Sequence, residues 1–263
     1  MSTDHRFLLS FGVFIALILF SLPAQAETCL VYCGAGLKLP MAELSSAFKS
    51  STPHHIDISY GGAGHLFGMM AMGRQCDVFI PGARRYVDIA VEKSWIAAEN
   101  VIPLVKHVPA IAVPRGNPAK IRSLQDLATP GVTIALGDPR ACAIGNLSAS
   151  ILRKNGIYEA VNVRTRVYGP TVNQLLLYVI TGKVDAAIIW EDLAVWPEGN
   201  GDIELVKING PQNIIRHIPV AVTIRGAHNP AALEFSAFLA SPQGLAIWRK
   251  WGFEPCSSLM SSN

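Results

Sequence analysis

Charged side chains are scarce in this sequence. Only 16% of the 263 residues are Asp, Glu, Lys or Arg, and 22 bases against 19 acids leave a net charge of +3. No basic run exceeds two residues, so the clustered cationic face of a nucleic-acid-binding protein is missing. Also missing are a G-x-S-x-G nucleophile elbow, an H-E-x-x-H zinc helix and a P-loop lysine motif. An exported enzyme is therefore a weak reading, reduced to Cys142 as nucleophile with His65 as base, and no cofactor is called for. There is no low-complexity segment and no repeat of fixed period. Carboxylates are few near the glycine-rich turns. Asp138 in GDP reads as a cap or turn residue, while Glu191 and Asp192 follow a strand and could reach a cleft rim or hinge.

Long apolar runs are also missing beyond the first residues. FLLSFGVFIALILF, Phe7 to Phe20, is shorter than the roughly 20 residues that a membrane span needs. It follows Arg6 and precedes SLPAQA, an A-x-A site at Ala24 and Ala26. This is the pattern of a secretory signal peptide, 1–26, with cleavage predicted after Ala26 and a periplasmic destination. AETC around Cys29 has no small-residue lipobox before it. What remains is long for one core and comfortable for two. All five cysteines, Cys29, Cys33, Cys76, Cys142 and Cys256, lie in that remainder. An odd count leaves at least one thiol unpaired or paired outside the chain. An oxidising compartment permits a disulfide, and Cys29 with Cys256 could pair if the chain ends meet.

What is present is an alternation of short β-rich runs with helical ones. CLVYC (29–33), HIDISY (55–60), CDVFIPG (76–82), AIAVP (110–114), VTIALG (132–137), NVRTRVYG (162–169), DAAIIW (185–190) and IPVAVTI (218–224) read as strands. Helices are predicted over MAELSSAFKS (41–50), about 65–74, ARRYVDIAVEKSW (83–95), about 145–155, about 171–183, about 229–240 and about 242–251. SLQD from Ser123 to Asp126 has the form of a capping box, with Ser123 accepting from the backbone and Asp126 reaching back. Strand, helix, strand at this spacing implies an α/β fold with mostly parallel sheets and helices on both faces.

Ligands of such sheets sit beyond the carboxyl ends of strands, where a turn enters a helix. Three such turns are marked by glycine: Gly34–Gly36, Gly61–Gly64 and Gly137–Gly145. In YGGAGHLFGMM, from Tyr60, four of the first six residues carry at most a methyl group, with no lysine or arginine among them. A helix start has four backbone N–H groups without intrahelical partners and the positive end of the helix dipole. It binds anions without any cationic side chain, and glycine lets the backbone come close. Gly61, Gly62, Ala63 and Gly64 can cradle an oxyanion. Glycines also serve tight turns and close helix–strand packing, and that reading stays open.

YCGAGLKLPMAEL, YGGAGHL, CDVFIPGARRYVDIA, IALGDPRACAIGNLSASIL and GKVDAAIIWEDLAV resemble, in order, blocks of the periplasmic molybdate-binding proteins of ABC transporters. The ending IPVAVTIRGAHNPAALEFSAFLASPQGLAIWRKWGF resembles that family's C-terminus. The resemblance implies a class II periplasmic binding protein. Lobe one would hold 27–106 plus 219–263, lobe two 107–218, with the ligand between them and a membrane permease as partner. A monomer is expected. In that family neutral donors hold the oxyanion: serine hydroxyls, backbone N–H groups and a tyrosine hydroxyl. Here the serine positions fall at Gly36 and at Gly62 or Ala63, and the tyrosine falls at Trp190, which donates but cannot accept. The helix-start contacts fall near Ile144 and Gly145, and near Val172. Three hydroxyls are thus replaced while backbone donors remain. Molybdate or tungstate is the implied ligand.

A second reading keeps the fold and changes the cargo. Cys33 ends a strand beside the first glycine turn, Cys142 lies in DPRACAIG, and His65 opens a helix that also carries Met69, Met70 and Met72. Thiolate, thioether and imidazole bind soft metals, and Cys33 with Cys142 and His65 could hold a thiophilic oxyanion. The alternative is that both cysteines are small buried hydrophobes and the methionines pack in the core. Arg140 could face the opening and draw anions by its field.

Overall fold

The computed structural model describes residues 26–82, 84–140, 143–197, 199 and 201–256. The expected signal peptide lies outside the described residues apart from Ala26, and so does Cys142. Among the described residues, ten strands are distributed between two five-stranded sheets. β1 (Thr28–Gly34), β2 (His55–Gly61), β3 (Val78–Ile80), β4 (Ile96–His107) and β10 (Arg216–Thr223) form the first, in the order β2-β1-β3-β10-β4. β5 (Pro109–Pro114), β6 (Ile134–Gly137), β7 (Thr165–Gly169), β8 (Ala186–Trp190) and β9 (Ile203–Lys207) form the second, in the order β7-β6-β8-β5-β9.

The two orders are the same pattern. In each sheet the first three strands pair in parallel, and the fourth runs against both of its neighbours. Four of every five strands therefore share a direction. The reversed strand, β5 or β10, is the one by which the chain arrives from the other sheet. The chain crosses twice, at Val108 between β4 and β5 and through 208–215 between β9 and β10.

The helices are α1 (Lys38–Lys49), α2 (Ala63–Ala71), α3 (Arg84–Glu92), α4 (Ala143–Lys154), α5 (Tyr158–Asn162), α6 (Val172–Ile180), α7 (Pro230–Ala240) and α8 (Pro242–Lys250). β1 shows why they cover both faces. Its side chains alternate: Val31 and Cys33 join a core containing Met41, Leu44 and Phe48 of α1 with Phe235 and Trp248 of α7 and α8. Tyr32 points the other way, into a core with Leu66 of α2 and Val87 of α3. One larger core fills the second half, built on Ile134, Leu136, Ile188, Ile151 and Leu175.

An aspartate placed before the third strand of each sheet ties that sheet together. Asp77, fully buried, accepts from the Leu30 amide at 2.9 Å, from Asn229 Nδ2 at 3.2 Å and from the Arg225 guanidinium. Asp185 accepts from the Thr133 amide at 2.7 Å and its hydroxyl at 2.6 Å.

β4 and β9 are strands at 96–107 and 203–207, where the sequence pattern predicts none. Both are edge strands. β4 carries Glu99, Asn100 and Pro103, which break the alternation. Pro103 faces Pro219 beside a register shift, and an edge strand tolerates proline because one side of its ladder is open. The expected capping box is half present. Asp126 Oδ2 accepts from the amides of Arg122 and Ser123, at 2.8 and 3.0 Å, but the turn that follows, Gln125–Ala128, is a short 3-10 helix with no side-chain cap at its start.

Candidate functional site

At the carboxyl end of β1 and β2, Gly34 lies in register with Gly61. At the carboxyl end of β6 and β7, Gly137 lies in register with Gly169. Each of these four strands ends on a glycine and leads into a helix. β1 passes through a 3-10 turn, Ala35–Leu37, into α1. β2 enters α2 with Gly62 as N-cap, at φ −67° and ψ 143°. β6 reaches α4 by way of Asp138, Pro139 and Arg140, and β7 enters α6 with Thr171 as N-cap, its hydroxyl accepting from the Gln174 amide at 3.3 Å. None of the four helices has an acidic residue in its first turn. The positive ends of their dipoles are therefore not compensated from within.

A cleft of about 700 Å³ opens between the two halves. From the first half it is lined by Gly62, Ala63, Gly64 and His65 of the α2 start and by Arg84, Arg85, Tyr86 and Asp88 of α3. From the second half come Pro139, Arg140, Ala143, Asn146 and Trp190, and Arg216 stands at the second crossover. The Tyr86 hydroxyl lies 2.8 Å from where a Cβ on Gly64 would be. A side chain at 64 would displace a phenol from the mouth of α2.

The residues singled out from sequence are placed as follows. Gly62, Ala63, His65 and Trp190 line the cleft. Gly36 is exposed at the next helix start, with nothing within 4 Å of a Cβ built there. Ile144 and Gly145 are buried beneath the cleft in the first turn of α4. A Cβ on Gly145 would stand 2.6 Å from the Gly137 carbonyl carbon and 2.7 Å from that of Asp138. Gly145 thus lets α4 press onto the end of β6. Val172 is half-buried at the start of α6 and is not among the cleft-lining residues.

Cys33 is fully buried in the first core, with its thiol donating to the Gly34 carbonyl at 3.6 Å and pushed well above its usual pKa by that burial. It does not reach the cleft. Cys142 cannot be placed beside His65, since it lies outside the described residues. Among the described residues no group of three or more His, Cys, Asp or Glu could hold a metal ion. Cys29, Cys33, Cys76 and Cys256 are buried free thiols.

Four arginines line the cleft, of which the sequence reading named only Arg140. Arg84 Nε pairs with Asp88 at 2.8 Å. Arg140 pairs with Asp138 at 3.3 Å, and its amide and guanidinium hold that carboxyl below the usual range. Arg85 lies over the Tyr86 ring at 5.7 Å, and neither it nor Arg216 has a carboxylate partner among the described residues. ARRY follows the third strand, at a turn parallel to the glycine-marked ones. That position is the signal by which Arg84 and Arg85 could have been found. Arg216 carries no local signal, because only the crossover brings it here.

Trp190, which lines the cleft, stacks on His107, with ring centroids 3.5 Å apart and an interplanar angle of 16°. His107 Nε2 lies 3.4 Å from Asp192, and its buried Nδ1 has no partner.

The sequence profile of the bacterial extracellular solute-binding proteins matches residues 29–254. A Haemophilus influenzae protein named only as a binding protein is 27% identical over 241 residues, covering 91% of this chain and 96% of its own. The molybdate-binding protein ModA of Rhodobacter capsulatus is 24% identical over 243 residues, covering 91% of this chain and 93% of its own. Among solved structures, a substrate-binding domain from Clostridium difficile assigned to a molybdenum ABC transporter superposes with a TM-score of 0.77. It is 21% identical and covers 88% of this chain and 100% of its own.

Proposed function

Because the chain belongs to the bacterial extracellular solute-binding proteins, we propose that it captures a tetrahedral oxyanion between its two halves and delivers it to the membrane permease of an ABC transporter. Molybdate and tungstate are the first candidates. One observation carries this reading: the starts of α2 and α4, one from each half and neither with an acidic first turn, follow the glycine-ended strands β2 and β6 and line one cleft from its two sides. Such starts supply N–H donors to an anion that arrives already deprotonated. Hydrogen bonds to a charged group are worth about 1.5–3 kcal/mol each. The Tyr86 hydroxyl, at the mouth of α2, supplies a donor of the kind lost at Gly36, at Gly62 or Ala63, and at Trp190. The names of relatives such as the R. capsulatus protein support molybdate as cargo.

In this reading the half built on β1–β4 and β10 moves as one lobe and the half built on β5–β9 as the other, closing about the two crossovers at Val108 and 208–215. The lobe bounds expected from sequence, 106/107 and 218/219, shift so that His107 and Arg216–Ile218 join the first lobe, because they pair in its sheet. The ligand is held by main-chain N–H groups at Gly62 and Ala63 and in the first turn of α4 up to Gly145, beside Trp190, while Gly36 and Val172 stand outside the cleft lining. The chain works by binding rather than catalysis, as a monomer in the periplasm, after removal of residues 1–26. Calorimetric titration with molybdate, tungstate, sulfate and phosphate tests it. Saturable one-to-one binding of at least one of them is expected, and heat-silent titrations with all four would refute it.

A further inference from the structure

We infer that the cleft takes an oxyanion carrying a second anionic group, of the class of phosphorylated carboxylic acids, with Arg85 and Arg216 holding the carboxylate. The inference rests on the reading above, in which backbone N–H groups hold the tetrahedral head. That reading needs no cation. Yet the cleft walls bear four arginines, and only two are neutralised by neighbours: Arg84 by Asp88 and Arg140 by Asp138. Arg85 and Arg216 remain with no carboxylate partner among the described residues. They come from different parts of the fold. Arg85 is in the first turn of α3, one residue before Tyr86, and Arg216 opens β10 in register with His107. Guanidinium forks match carboxylates in a planar, two-point geometry.

Size points the same way. A cleft of about 700 Å³ is within the range of about 300–1,000 Å³ typical of sites for whole organic ligands. A phosphate monoester presents to the helix starts the same tetrahedral, multiply charged head as molybdate. Its carboxylate, a few bonds away, would then meet the two arginines. The competing role for these cations is to steer anions toward the cleft, an effect on association rate that fades as ionic strength rises.

Calorimetry on the full mature chain separates these cases. The probes are 3-phosphoglycerate and phosphoenolpyruvate against molybdate and inorganic phosphate, each at low and at about 0.5 M salt. The proteins are wild type, Arg85→Gln and Arg216→Gln. We expect the phosphorylated acids to bind at least about tenfold more tightly than either inorganic anion at both salt concentrations. Each variant should lose that advantage while its affinity for molybdate stays within about twofold. Tightest binding of molybdate, or an equal loss for all anions that vanishes at high salt, would overturn the inference and leave the oxyanion reading standing. No binding of any probe would overturn both.

Discussion

The indole of Trp190 and the imidazole of His107 stack face to face, 3.5 Å between centroids. Trp190 ends β8 and lines the cleft, while His107 ends β4 at the first crossover. Any closure about the crossovers must therefore disturb the surroundings of one indole. Ligand binding should change tryptophan emission, and Trp190→Phe should abolish most of that change, although four other tryptophans remain. Persistence of the full signal in Trp190→Phe would place the reporter elsewhere.

Gly145 and Gly36 predict opposite responses to one methyl group. At Gly145 a Cβ meets main-chain atoms of Gly137 and Asp138, which cannot step aside. Gly145→Ala should cost about 1–3 kcal/mol of stability and tilt the α4 start away from the cleft, weakening ligand binding as well. Gly36→Ala meets nothing within 4 Å and should stay within about 0.5 kcal/mol of wild type. Urea unfolding of the pair checks the contrast.

Asp77 gathers β1, the Arg225 side chain and the α7 N-cap Asn229 around one buried carboxylate. Asp77→Ala leaves the Leu30 amide and the guanidinium without that acceptor. A loss of about 3–5 kcal/mol is expected. The measurement is a denaturant midpoint, and an unshifted midpoint would contradict the role.

The described thiols should be inert in the native protein. Burial raises the pKa of Cys29 and Cys33 far above the usual thiol value and that of Cys76 to about 12. A raised thiol pKa means almost no reactive thiolate at pH 8. In a Cys142→Ser variant, iodoacetamide at pH 8 should label none of the remaining four thiols within minutes, and all four after unfolding. Rapid native labelling of Cys33 would reopen the soft-ligand reading.

Much of the fold was legible because its signals are local. Largely buried β1 reads as an unbroken run, Cys29 to Cys33, and the glycines that end β1, β2, β6 and β7 mark their turns. The pairing of Gly34 with Gly61 follows once those two strands are neighbours. β4 was not legible, since Pro103, Glu99 and Asn100 suit an edge strand and hide its period. In the candidate site, Gly62, Ala63 and His65 could be named from the glycine-marked turn that opens α2, and Trp190 from the position at which the family resemblance implies a tyrosine. Arg216 could not, because it reaches the cleft through a crossover whose partner, His107, lies 109 positions earlier in the chain. Tyr86 was hidden for a different reason: its relevance comes from the missing side chain at Gly64, a contact between two helices.

The most direct measurement is X-ray diffraction at the tungsten edge from crystals grown with tungstate. A single anomalous peak is predicted between the starts of α2 and α4, within hydrogen-bond reach of main-chain N–H groups of Gly62–Gly64 and Ala143–Gly145. A peak held only by side chains on the outer surface, or none in the cleft at saturating tungstate, would contradict the account.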